Sequence, residues 1–141
     1  VLMPLISIKL IIILLLSTLY LHADEYVVVS NRHIKTLSLA EIKAIYLKKL
    51  SYTEDTKLLP INLSLRDKIR KSFEKNVLQM NLIRLNAYWT KQHYLGHRPP
   101  LTMKSQEAVK KLIKKVDGAI GYINIDSLDD DLLIIYQWSD K

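Results

Sequence analysis

The chain has no cysteine, one phenylalanine, four prolines and three glycines in 141 residues. Absence of cysteine excludes disulfides, thiol catalysis and a lipidated cysteine anchor. No Gly-x-Ser-x-Gly turn, cysteine nucleophile or acid–base pair is present, so nothing in the residues asks for an enzyme. No internal repeat or low-complexity segment follows the N-terminal apolar run. No acidic residue precedes Asp24, and Lys9 is the one charge before it. Residues 10–16 are all apolar, and that character continues to Leu21. A short positive start, an apolar core and small Ala23 at a polar boundary match a secretory signal over residues 1–23, which implies a periplasmic protein. Leu21 stands where a small residue is preferred, and the apolar stretch approaches spanning length. An uncleaved membrane anchor is therefore the rival reading.

Residues 24–141 remain as one domain, enough for a single modest core. They carry 20 basic and 14 acidic residues, net +6. Such a balance suits small anions, an acidic partner or an ordinary basic surface; export argues against nucleic acid. Along this domain, Tyr26, Val27, Val28 and Val29 form a β-branched strand within residues 25–31. Ser38 and Glu41 have capping-box spacing ahead of a helix with Leu39, Ile42, Ile45 and Tyr46 on one face. Residues 51–57 are polar and loop-like. Residues 57–63 predict a second strand, which Pro60 marks as edge or irregular.

The pattern then predicts a helix over residues 64–75 with Leu65, Ile69 and Phe73 facing inward. A second covers residues 81–94 with Leu82, Leu85 and Trp89 on related faces, and Tyr88 and Trp89 as core anchors. Ser105 caps a third, whose buried side is Ala108, Val109, Leu112, Ile113 and Val116. Residues 119–125 and 132–138 read as strands, with an acidic turn between them. Two of the three glycines, Gly118 and Gly121, fall where the third helix stops and the strand begins. Gly118 suits a helix end at positive φ, and Gly121 marks a close backbone approach or bulge. Alternation of this kind means an α/β layer architecture.

Smaller constellations have ordinary readings. His93 and His97 are four apart, but Gly96 and the Pro99, Pro100 pair end the helix before His97 and no carboxylate is near, so no metal is expected. Asp126, Asp129, Asp130 and Asp131 lack the glycine and terminal glutamate of a calcium loop and read as a solvated turn. No cofactor is implied.

The helix, the stop and the GAIGY segment at residues 118–122 resemble the phosphate-binding, type II periplasmic solute-binding proteins of ABC transporters, and more closely their small single-lobe relatives. Leu37, Ser38 and Glu41 through Ile45, Tyr46 and Leu47 match the family's first helix. Tyr52 stands where a tryptophan is usual, and Leu58 to Asn62 resembles the strand before the anion-binding turn. Arg70 and Phe73, then Tyr88 and Trp89, the loop at residues 96–100, Ser105 and the glycine motif complete the set. The resemblance implies a single three-layer lobe with a mixed sheet flanked by helices. It further implies binding of inorganic phosphate or a similar oxyanion, and a membrane transporter or sensor as partner. Such lobes aim backbone N–H groups of a helix N-terminus at the ligand, helped by a hydroxyl and an arginine. On that basis Ser64, Arg66 and Arg70 are the candidate anion ligands. Ser30, Asn31 and Ser105 are expected as neighbouring donors on the same side of the sheet.

Departures from the family stand beside the matches. Its glycine-rich turn is replaced by Asn62, Leu63, Ser64, Leu65, Arg66, Asp67 and Lys68, with no glycine to let backbone approach an anion. Asp67 falls where the family has serine, and Ser64 with Asp67 has capping-box spacing. Lys48 replaces the family's glycine after the first helix. The alternative reading is therefore an interaction module without ligand, docking on a membrane protein through the basic region of residues 91–104.

Overall fold

The computed structural model describes residues 8, 9, 11, 12, 23–31, 34 and 36–140. The leader expectation falls largely outside the described residues. Strand β1 (Glu25–Ser30) is followed by α1 (Leu39–Tyr46), and a small hairpin, β2 (Tyr52–Thr53) with β3 (Thr56–Lys57), then leads into β4 (Leu59–Leu63). Next come α2 (Lys68–Phe73), continued by a π-helical turn (Glu74–Leu78), and then α3 (Leu82–Tyr94), β5 (Leu101–Met103), α4 (Gln106–Lys115), β6 (Ala119–Asn124) and β7 (Leu133–Ser139).

The five-stranded sheet runs in the order β5-β4-β6-β1-β7. β4 is parallel to β5 and β6, while β1 is antiparallel to both β6 and β7. The alternation of β6 separates the two helical layers. A Cβ on Gly121 would stand 2.5 Å from Val109 Cγ1 of α4, so the missing side chain lets that helix close on the sheet. Tyr122 points to the other face, stacked on Phe73 of α2 with ring centroids 4.1 Å apart. Tyr46 of α1 joins them 4.6 Å from Phe73, and its hydroxyl donates to the carbonyls of Ile61 and Ile120 at 3.0 and 3.2 Å. Trp138 and Tyr26 extend the ring cluster toward β1 and β7. The chain is thus a three-layer α/β lobe with a mixed sheet.

Several local expectations change. Residues 51–57 are not a plain loop, since Thr53 pairs with Thr56 and Tyr52 with Lys57. β4 is internal despite Pro60. The Leu59 amide donates to Gly118 O at 2.9 Å on the β6 side, so the Pro60 nitrogen faces the other way. There β5 begins only opposite Ile61, and no ladder bond is lost. The helix expected from residue 64 begins at Lys68. Leu65 lies in the preceding turn and is 60% exposed. On α3 Leu85 is buried, Leu82 is exposed, and Tyr88 and Trp89 are half-buried against the core. The Tyr88 hydroxyl donates to Leu47 O at 2.7 Å. The acidic turn is not simply solvated: Asp129 accepts from Lys110 and Lys114 of α4 at 3.3 and 2.8 Å. His97 lies beyond α3 and contacts Gln92 Oε1 through Nδ1 at 2.7 Å.

Candidate functional site

Parallel strands place their C-terminal ends on one edge of a sheet, where α/β proteins bind ligands. Here that edge is formed by the ends of β4 and β5, with Leu63 opposite Met103, and by the end of β6. Ser64 follows Leu63 directly, and Ser105 follows Met103 by two residues. β1 runs the other way, with Tyr26 opposite Asn124 and Val29 opposite Gly121. Its start, at Asp24, therefore joins this edge. Its end, Ser30 and Asn31, lies at the opposite end of the sheet. By the register, Ser30 is level with Ile120, about four residues or roughly 13 Å along the strands from Ser64. The structure brings Ser64, Arg66, Arg70 and Ser105 to one edge and separates Ser30 and Asn31 from them. The sequence expectation that all six share one side is corrected by the antiparallel direction of β1. Ser30 is fully buried, and Asn31 Oδ1 is buried without a hydrogen-bond partner among the described residues.

At the edge itself, most polar groups are engaged. Residues 64–67 form a turn closed by the Asp67 amide donating to Ser64 O at 2.9 Å. Asp67 is the N-cap of α2, its Oδ1 accepting from the Ile69 amide at 2.8 Å. A carboxylate, rather than an open set of N–H donors, thus occupies the first turn of the helix. The Ser64–Asp67 box expected from spacing is replaced by this cap. Arg66 is exposed. Arg70 turns back toward the sheet, where Nη1 donates to Leu63 O at 2.9 Å and Nε lies 3.6 Å from Glu74 Oε2. Burial pushes the Glu74 carboxyl up, against the opposing pull of Arg70. The guanidinium is thus a brace between β4 and α2. Ser105 caps α4, its Oγ accepting from the Ala108 amide at 3.1 Å.

Beneath the edge lies polar structure that residue spacing does not mark. The Tyr122 hydroxyl donates to Asn62 Oδ1 at 3.0 Å and accepts from the Leu63 amide at 3.2 Å. Burial holds this phenol protonated, far above its ordinary range. Ser72 Oγ contacts Asp140 Oδ1 at 2.5 Å and accepts from Trp138 Nε1 at 3.0 Å, partners 68 and 66 residues away in the chain. Only the docking of β7 assembles that group.

No protein-family model matches the chain, and no curated protein matches it. Solved structures do. An ABC-type phosphate transport receptor from Vibrio cholerae matches with a TM-score of 0.64 at 18% identity, covering 79% of this chain and 45% of the receptor. A phosphate-bound protein from Clostridium perfringens, assigned as a phosphate ABC transporter substrate-binding protein, gives 0.65 at 19%, covering 79% and 44%. PstS from Borrelia burgdorferi gives 0.59 at 17%, covering 79% and 46%. The chain spans less than half the length of each of these three structures. The chain has the fold of a single lobe of the phosphate ABC transporter substrate-binding proteins.

Proposed function

We propose that this chain is an exported, non-enzymatic lobe of the phosphate-receptor fold that serves ABC-type transport or sensing as an interaction module. It resides in the periplasm, with residues 1–23 as export signal or, uncleaved, as anchor. It docks on a membrane transporter or sensor protein rather than capturing a free oxyanion by itself. The observation that carries this reading is Asp67: its carboxylate caps α2 where a bound oxyanion would need free N–H donors. The surface at residues 91–104 supplies the docking face. Tyr94 and Leu95 are 85% and 61% exposed there, beside His93, His97 and Arg98. Trp89, Tyr94 and Pro99 line a cavity of about 400 Å³.

One observation favours a second reading. Arg66 is exposed next to Ser64 and Arg70, and this cationic turn suits weak binding of phosphate or a similar oxyanion. Thermal unfolding of residues 24–141 in phosphate, sulfate and chloride at matched ionic strength separates the two. The interaction module gives equal shifts in phosphate and sulfate relative to chloride, the general effect of such salts alone. Asp67→Ser keeps a cap and removes the charge, and is expected to bring out a phosphate-specific rise absent from the parent. A phosphate-specific rise in the parent that Arg66→Ala abolishes transfers the assignment to the oxyanion reading. A ligand at a hundred times its Kd adds about 2.7 kcal/mol, readily visible as a shift.

A further inference from the structure

A face built by α2, the π-helical turn that continues it and the segments on either side, adjoining the Ser64–Asp67 turn, carries charge and apolar area together. Lys68, Lys71 and Lys75 follow one another at three- and four-residue spacing, which stacks them on one side of the helix. Lys71 and Lys75 are exposed, and neither forms an ion pair among the described residues. Two hollows open on either side of them. One, of about 550 Å³, is walled by Leu65, Met80 and Leu82 as well as by both lysines and Glu74. The other, of about 320 Å³, adds Lys68, Ser72 and Asp140. Leu65 and Leu82 are 60% and 56% exposed. Of the carboxylates facing this surface, two are paired with cations, while Asp140 is hydrogen-bonded by neutral groups alone and keeps its charge. Glu74 lies against Arg70, Asp140 accepts from Ser72 and Asn76, and Asp24 accepts from Lys68 at 2.6 Å. Lys71 and Lys75 thus exceed the one unpaired carboxylate of the face, Asp140, by a single charge, and two leucines supply its apolar part.

Its position in the chain says what it meets. Asp24 is held here by Lys68, and Asp24 O accepts from the Asp140 amide at 3.1 Å. Asp24, three residues after the apolar run of residues 10–21 in the sequence, therefore stands at the rim of this lysine face. Lysines also suit a diffuse anionic surface, because they act as mobile point charges rather than as the forked donors that read one carboxylate or phosphate.

We propose that the α2 face rests on an anionic phospholipid bilayer, with Lys71 and Lys75 at the headgroups and Leu65 and Leu82 at the headgroup–acyl boundary. Basic charge and inserted apolar side chains act together in such binding, since either alone is weak.

Vesicle co-sedimentation tests this. Residues 24–141 serve as the protein, because among the described residues the buried core is drawn from Tyr26 to Trp138. Binding to phosphatidylcholine vesicles containing phosphatidylglycerol is expected, falling with added salt, and none to phosphatidylcholine alone. Lys71→Gln with Lys75→Gln should weaken binding about 25-fold, at about fivefold per lysine. Lys111→Gln with Lys115→Gln removes equal charge from α4 on the opposite layer and should leave binding nearly unchanged. Leu65→Ser with Leu82→Ser should lower binding while keeping its salt dependence. Equal binding to neutral vesicles, no binding to anionic ones at low salt, or equal loss in the two lysine pairs would overturn the proposal. So would displacement by inorganic phosphate beyond that of matched chloride, which would make the hollow a free-phosphate site. A lipid-free dimer that the Lys71, Lys75 change dissolves would instead assign the face to a second copy of the chain.

Discussion

Gly118 sits at φ +82°, and a Cβ built there would stand 2.0 Å from Lys57 O and 2.9 Å from Thr56 Cγ2. The β2–β3 hairpin rests on this backbone, whose carbonyl also accepts from the Leu59 amide. Gly118→Ala therefore combines left-handed strain with overlap against main chain that cannot swing away. A loss of about 3 kcal/mol is expected in a denaturant midpoint, from backbone strain and overpacking together. A loss under about 1 kcal/mol would mean the hairpin does not press on the strand start. Arg70 makes a different point at the same scale. The arginine expected to reach toward a ligand braces Leu63 O and Glu74, so side-chain type was readable from the sequence and side-chain direction was not.

At the scale of elements, α1 shows a helix whose beginning and end follow local chemistry. Its capping box is complete: Ser38 Oγ accepts from the Glu41 amide, and Glu41 Oε1 accepts from the Ser38 amide, both at 3.2 Å. Its end turns on Lys48, which adopts φ 61° at the place where the resembling family carries glycine. Lys48→Gly should therefore stabilise the domain by about 1 kcal/mol, because glycine reaches that region without a Cβ penalty. A thermal scan showing no gain would count against the strain. α2 follows a subtler rule. Ser64 and Asp67 both have the chemistry of an N-cap, and the turn closed by Ser64 O gives that place to Asp67. Spacing alone offers both residues, and only the path of the chain leaving β4 selects one.

For the whole molecule, exposed ion pairs tie distant segments together, and pH reads them out. Hydrogen bonding to Lys68 holds the Asp24 carboxyl below its ordinary value of 3.8. Bonds from Lys114 and Lys110 do the same for Asp129. A folded value below the unfolded one contributes stability that is complete above the unfolded value and is lost as pH falls through the folded one. Glu74 has the opposite sign: burial raises its carboxyl above 4.5, so its contribution is present in acid and is lost as pH rises. Below about pH 5 the melting temperature should therefore fall as Asp24 and Asp129 take up protons, with Glu74 working in the opposite sense. Asp129→Asn should shrink that fall, and Glu74→Gln should steepen it. An unchanged pH profile in Asp129→Asn would show that the link between α4 and the acidic turn adds nothing.

What the sequence determined by itself was local. Branched apolar runs, cap residues, the stop at Gly118 and the alternation of strands with helices suffice for an α/β lobe, because each depends on neighbours a few residues apart. The resemblance to phosphate-binding lobes was likewise readable from ordered short motifs. Tertiary structure alone decided which of those residues meet. It set β1 antiparallel to β6, which carries Ser30 and Asn31 away from Ser64 and Ser105. Pairing on both sides made β4 internal despite Pro60, and the Tyr122–Asn62 and Ser72–Asp140 contacts were assembled across 60 and 68 residues. Strand direction and partner choice are settled by burying one shared core, and no local pattern along the chain encodes that competition.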